Sequence, residues 1–192
     1  MRTHFRRHAS LAAGLGACVL IAAAPTVGAQ HQLSPVQIES DRQARQNARA
    51  DTLEERARTM YSNARWYVDA ARLHRRAAAL RGNDPRAVTS FRSAAWLYSV
   101  AGMHQVGRDM MEQAAERAKT VGDVEGAANS YIDAAFLAIA SGREDQVPTI
   151  LRRVHAVLGS PILPPERRAS VLQRIGGASQ LARLDSAARA NP

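Results

Sequence analysis

Four histidines, His31, His74, His104 and His155, follow the first thirty residues and could in principle bind a metal or move protons. A metal site needs two or more His, Cys or acidic ligands at helical or loop spacing, and none of the four has such a neighbour. Nucleophilic catalysis of the Ser-His-Asp kind needs a constrained serine, and no G-x-S-x-G occurs. Gly176-Gly177 stands alone, so no glycine loop cradles a phosphate. The pairs Arg75-Arg76, Arg152-Arg153 and Arg167-Arg168 diverge by about 100° on a helix and read as solvated rather than as one anion site. The chemistry-bearing residues therefore predict no enzyme, no metal and no cofactor. The histidines are expected at the surface or at a groove edge.

Charge narrows the partners. Of 26 basic residues 25 are Arg, with Lys119 the exception, against 17 acidic ones. Many arginines have an acid in helical register, as Asp69 with Arg72 and Arg108 with Glu112. Mixed signs suit solvated helix faces rather than a nucleic-acid stripe.

The start of the chain reads as a secretory leader. Arg2, Arg6 and Arg7 precede the uncharged apolar run Leu11 to Ala24, and Val27-Gly28-Ala29 offers small residues for cleavage. Fourteen residues of helix span about 21 Å, short of the ~30 Å hydrocarbon core. Cleavage after Ala29 would leave 163 residues carrying 23 basic and 17 acidic side chains. An alternative reading makes Cys18, in Leu15-Gly16-Ala17-Cys18, the lipidated residue of a lipoprotein. Loss of Cys18 with the leader would remove the one thiol, so the mature chain would hold together by burial without a disulfide. The expected location is periplasmic or secreted in a bacterium, with no transmembrane span after cleavage.

The elements that carry these residues are helical. Residues 30–50 are polar and contain Pro35, which reads as a flexible lead-in that becomes helical near Asp41. From Asp51 the chain is rich in good helix formers, and no stretch alternates like a strand. Turn residues divide it into helices near 86–101, 104–120, 124–141, 144–158 and 165–175. Residues 52–81 form one helix or two with a break at Ser62-Asn63. Residues 51–175 are expected to be one domain, and 176–192 a tail that is partly helical or disordered.

A phrase repeats inside that domain. FRSAAWLYSVAG (Phe91 to Gly102) returns as YIDAAFLAIASG (Tyr131 to Gly142), and sliding by forty residues matches Gly82/Gly122, Ala87/Ala127, Ser90/Ser130, Ala94/Ala134, Ala95/Ala135, Leu97/Leu137 and Gly102/Gly142. On a helical wheel Phe91, Ala94, Ala95 and Tyr98 share about 100° of arc, a face that one hairpin cannot bury but stacked hairpins can. YVDAARL (Tyr67 to Leu73) has a similar cadence, yet in the forty-residue register it aligns with a second helix.

These residues resemble the tetratricopeptide repeat (TPR), a helical hairpin of about 34 residues. Phe91, Ala94, Ala95 and Tyr98 fall on its first-helix pattern, and Gly107, Met111 and Ala114 on its second. Tyr131, Ala134, Ala135 and Ala138 with Val147, Leu151 and Val154 repeat both, although Ala138 stands where an aromatic is usual and Val147 where a small residue is. The resemblance covers roughly 82–160. It implies an all-α fold: a short right-handed α-solenoid of TPR-like hairpins with a C-terminal capping helix over 165–175. It also implies that Trp96 and Phe136, some 150° from the core face, line a concave groove with Arg92, Ser99, Asn129, Ile132 and Ile139. The expected function is an exported binding module or scaffold whose groove takes a peptide or helix of an envelope partner. The alternatives are a structural, self-assembling envelope protein and a carrier of a small molecule or lipid.

Overall fold

The computed structural model describes residues 34–190, apart from the side chains at 184, 185 and 187–190. The segment 1–29 read as a leader, with Cys18, and His31 lie outside the described residues. Within them every regular element is a helix: α1 (Pro35–Thr59), α2 (Tyr67–Arg81), α3 (Arg86–Val100), α4 (His104–Thr120), α5 (Val124–Ala140), α6 (Val147–Leu158) and α7 (Pro165–Ala190). Short 3-10 turns, Ala64–Trp66 and Glu144–Gln146, lead into α2 and α6. Each helix through α6 packs mainly on the one before and after it, and α7 packs on both α5 and α6. No described helix is long and apolar enough to cross a membrane.

Two expectations are corrected at the ends. The helix expected from near Asp41 already begins at Pro35, so 35–40 are helical rather than a flexible lead-in. Pro35 occupies the first helical position, where its missing N–H costs nothing, and Ser34 forms a capping box with Gln37. At the other end α7 continues through Gly176-Gly177 to Ala190 instead of stopping at 175. Two helical glycines cost about 1 kcal/mol each relative to alanine. Val171, Ile175 and Ala178 are buried on both sides of the pair and hold it to the bundle. Between these ends, 52–81 is two helices, with the break at residues 60–63. The YVDAARL phrase lies on α2, the second helix of its pair.

The turns explain the regularity. Gly82, Gly102, Gly122 and Gly142 all have positive φ, and they stand twenty residues apart. At the last three of these the same connection recurs: Met103 N–H donates to Tyr98 O at 2.8 Å, Asp123 to Ala118 at 2.8 Å and Arg143 to Ala138 at 2.8 Å. This is the six-to-one bond of a Schellman motif, and its left-handed residue is glycine because a Cβ is disfavoured there.

Helices two apart in sequence are also linked, at offsets that change little. Glu54–Ser90 (2.6 Å) joins α1 to α3 and Arg92–Asp133 (3.8 Å) joins α3 to α5. Glu112–Arg153 (2.5 Å) joins α4 to α6, while Glu125–Arg167 (3.3 Å) and Asp133–Arg174 (2.6 Å) join α5 to α7. In the pairs joined twice or more, residue numbers rise together on both partners, as in Asp51–Arg86 followed by Glu54–Ser90. Those helices run parallel.

The core is alanine-rich where helices approach: Ala70, Ala71, Ala94, Ala95, Ala114, Ala115, Ala134 and Ala135 are fully buried. Larger fillers, among them Leu97, Tyr131, Ile132 and Val154, sit between them. Gly107 marks the tightest approach. A Cβ there would stand 2.9 Å from the Ala95 carbonyl oxygen and 3.4 Å from Leu137 Cδ1. Gly107→Ala gains about 1 kcal/mol of helix propensity but forces apart two helix backbones, an overpacking cost at the upper end of about 1–3 kcal/mol. A net loss of about 1–2 kcal/mol is expected in urea denaturation. An unchanged or raised midpoint would show that α3 and α4 are more loosely apposed.

Candidate functional site

The seven residues singled out from the sequence do not form one exposed strip. Trp96 is 54% exposed and Arg92 is exposed with it on α3. Ser99 is half-buried with its hydroxyl 3.4 Å from His104 Nδ1. Ile132 and Ile139 are buried in the core, and Phe136 is half-buried against it. Asn129 accepts a hydrogen bond from Arg174 of α7. The reason is α7: it lies along α5, so the face of α5 that the repeat makes equivalent to that of Trp96 is partly covered. Trp96 and Phe136 occupy equivalent sequence positions in unequal surroundings.

What remains open is a surface around Trp96. A depression of about 480 Å³ is lined by Tyr61, Thr89, Arg92, Ser93, Trp96, Met111 and Asp133. Thr89, Arg92, Ser93 and Trp96 come from one stripe of α3, since positions three and four apart share a helix face. The Trp96 ring rests between Tyr61 and Tyr67, each with its ring centroid 6.4 Å away and tilted by 58° and 49°. Tilted pairs at this separation are attractive beyond the area they bury. The indole is thus held by Tyr61 of the α1–α2 connection and Tyr67 at the start of α2, while half its surface faces solvent.

The polar rim is uneven. Asp133 binds Arg174 at 2.6 Å through Oδ1, whereas Arg92 approaches Oδ2 only to 3.8 Å. Most guanidinium donors of Arg92 are therefore left for another acceptor. A larger depression of about 660 Å³ is lined by Phe91 and α4 residues including Glu112, Glu116 and Arg117. Its charges are mutually satisfied: Glu112 by Arg153, Glu116 by Lys119 and Tyr131, and Arg117 by Asn83. The Trp96 surface is the more suitable place for an incoming group.

Beneath it lies a polar cluster within the apolar core. Arg81 (3% exposed) donates to both carboxylate oxygens of Glu54, to Asp51 at 2.6 Å and to the Ser90 hydroxyl. Ser90 in turn donates to Glu54 at 2.6 Å. Burial raises the Glu54 pKa, but the hydrogen bonds from Arg81 and Ser90 and the Arg81 charge outweigh it, so the carboxyl titrates below its usual value. His74, expected at the surface, is buried beside this cluster at 4% exposure. Its Nε2 bonds the Tyr61 hydroxyl, and its Nδ1 faces Glu54 Oε1 at 3.9 Å without a hydrogen bond.

Sequence reasoning missed Tyr61, Tyr67, Glu54, His74 and Asp133 as parts of this region. One signal was available: Tyr61 and Trp96 are 35 residues apart, and Glu54 and Ser90 are 36 apart. A search at the forty-residue step passes over both. Among the described residues no three His, Cys, Asp or Glu side chains converge as metal ligands do. No family model, curated protein or solved structure matches this chain.

Proposed function

We propose that this chain is a binding module: a short right-handed α-solenoid of TPR-like hairpins, exported through its leader, that docks a peptide or helix of an envelope protein on the Trp96 surface. One observation carries the docking reading, which is the half-exposed indole held between Tyr61 and Tyr67. A large apolar ring fixed before binding loses little freedom on contact, and Trp and Arg anchors concentrate binding energy at interfaces. The parallel links between alternate helices and the glycines at twenty-residue spacing support the solenoid reading. On this reading its contribution is position rather than reaction.

A photo-crosslinking residue placed at 96 in the full-length protein, in its native cell, tests this reading. The expected result is one stoichiometric protein adduct, absent when the same residue replaces exposed Arg76. Adducts only with a second copy of the chain would point to self-assembly, and no adduct at 96 would remove this surface as a docking site. Trp96→Ala should abolish the adduct formed from a crosslinker at nearby Arg92. It should cost less than about 1.5 kcal/mol of stability, because it removes edge contacts with two tyrosines from a half-exposed position.

A further inference from the structure

Tyr61 has two neighbours that nothing else in the fold brings together: the exposed Trp96 ring above it and the buried His74 imidazole below it. His74 lies on α2, Tyr61 just after α1, and Trp96 on α3. We propose that His74 is a positioning residue for the Trp96 surface: its hold on the Tyr61 hydroxyl sets the ring against which Trp96 rests, and a proton taken up by the imidazole reverses that hold and shifts the indole.

The geometry gives the steps. In neutral His74 the ring proton is best placed on Nδ1, which faces the Glu54 carboxylate at 3.9 Å. Nε2 is then the acceptor of the Tyr61 O–H. When Nε2 takes a proton from solvent it becomes a donor, so the Tyr61 oxygen must accept where it had donated. The phenolic hydrogen has to turn away from the imidazole, and a positive charge then stands against the hydroxyl of the ring that faces Trp96. No covalent bond is exchanged beyond the added N–H.

The charges that face His74 come from the elements packed on it. Glu54 and Arg58 lie on α1, Arg81 on α2 itself, and α3 contributes the Ser90 hydroxyl to the same Glu54 carboxylate. Burial opposes the imidazolium most strongly. Glu54 favours it, and Arg58 and Arg81 oppose it, which leaves the His74 pKa below the usual 6.5. The folded state thus binds fewer protons than the unfolded one below that value. Stability contributed by neutral His74 is present above 6.5 and is lost as pH falls through the lower folded pKa. The switch therefore acts on the acid side of neutrality.

The use of this coupling in docking rests on the reading of Trp96 given above, whereas the coupling itself does not. It is tested on the full chain carrying Trp66→Phe, which leaves Trp96 as the single tryptophan. Trp96 emission and near-ultraviolet circular dichroism are followed from about pH 8 to about pH 4, a range that brackets histidine titration. Far-ultraviolet circular dichroism confirms that the helices persist. The expected result is a one-proton transition in the Trp96 signals centred below the ordinary histidine value. His74→Gln should remove it. His104→Gln should leave it, although His104 lies close to Ser99 on the next turn of α3. Tyr61→Phe should change the Trp96 signal at neutral pH and abolish its acid response while the His74 imidazole still titrates by NMR.

A transition that survives His74→Gln, or that His104→Gln removes, would overturn the proposal. So would a Trp96 signal indifferent to Tyr61→Phe, or a His74 that protonates without any response at Trp96. A proton response at Trp96 with no crosslinked partner would sink the docking reading and leave the coupling standing.

Discussion

Arg81→Ala should destabilise the protein by about 3 kcal/mol or more at neutral pH, measured by urea denaturation. The side chain is 3% exposed and supplies donors to Glu54, Asp51 and Ser90 at the joint of α1, α2 and α3. Removing it leaves the Glu54 carboxylate almost buried with the Ser90 hydroxyl and, at 3.8 Å, Arg58 as its remaining support. Breaking a buried pair in this way costs about 3–5 kcal/mol, chiefly because one charge is stranded. Replacing both partners by apolar residues, Arg81→Met with Glu54→Leu, should recover most of the loss, since an apolar pair strands no charge.

The pH dependence gives a second check. Glu54 titrates below its usual 4.5 because of Arg81 and Ser90, so the stability it contributes is present above 4.5 and is lost as pH falls through its folded pKa. Without Arg81 most of that depression disappears. The gap between the parent chain and Arg81→Ala should therefore be largest at neutral pH, shrink as acid protonates the stranded Glu54 of the variant, and close once pH falls below the folded pKa of the parent. A gap that is small at neutral pH, or constant down to strong acid, would mean that the ion pair is not what stabilises this joint.

Ile132→Ala should cost about 3 kcal/mol, within the usual 2–5 kcal/mol for truncating a buried isoleucine, and lower Tm by several degrees. This result separates the two places the residue could occupy. As a side chain lining an open groove it would tolerate alanine to within about 0.5 kcal/mol. As the fully buried residue described here, it leaves a cavity between α5 and its neighbours. The contrast with Trp96→Ala is the informative part, since the two were expected to share a surface. A near-neutral Ile132→Ala would show that this side chain is not sealed in the core.

The helices between Arg86 and Leu158 were legible because their ends are written in local chemistry. A glycine just past a run of helix formers names a C-cap, and Gly102 and Gly142 close α3 and α5 with positive φ. The ends of the chain were harder, for opposite reasons. Pro35 reads as a breaker until Ser34 and Gln37 are recognised as a cap around it. Gly176-Gly177 reads as a stop, but burial of Ile175 and Ala178 overrides the local preference.

For the candidate site, the angle of Trp96 away from the core face was readable from the helical wheel, and its exposure agrees. Ile132 and Ile139 stand about 90–110° from that face, at its margin, where the wheel alone does not say whether a neighbouring helix covers them. The cluster of Glu54, His74, Arg81 and Ser90 was not legible at all. Ser90 has a repeat equivalent in Ser130, also buried, whose hydroxyl has no hydrogen-bond partner. What distinguishes them lies in α1, which contributes Glu54 and no echo of the repeated phrase.

That sequential packing, each helix chiefly against its chain neighbours, has a kinetic meaning. Contacts close in sequence need little loop closure, and proteins built from them fold fast for their size. Stability in such a chain is a sum over joints rather than a property of one centre. The first joint, where the buried Arg81 ties α1, α2 and α3 through charge, and the later ones, packed mainly by alanine and aliphatic side chains with their ion pairs nearer the surface, then respond to different stresses. Acid loosens the first by protonating Glu54 and His74. Cold, which weakens apolar burial, acts first on the rest. The same stack can thus come apart from either end, depending on which condition changes.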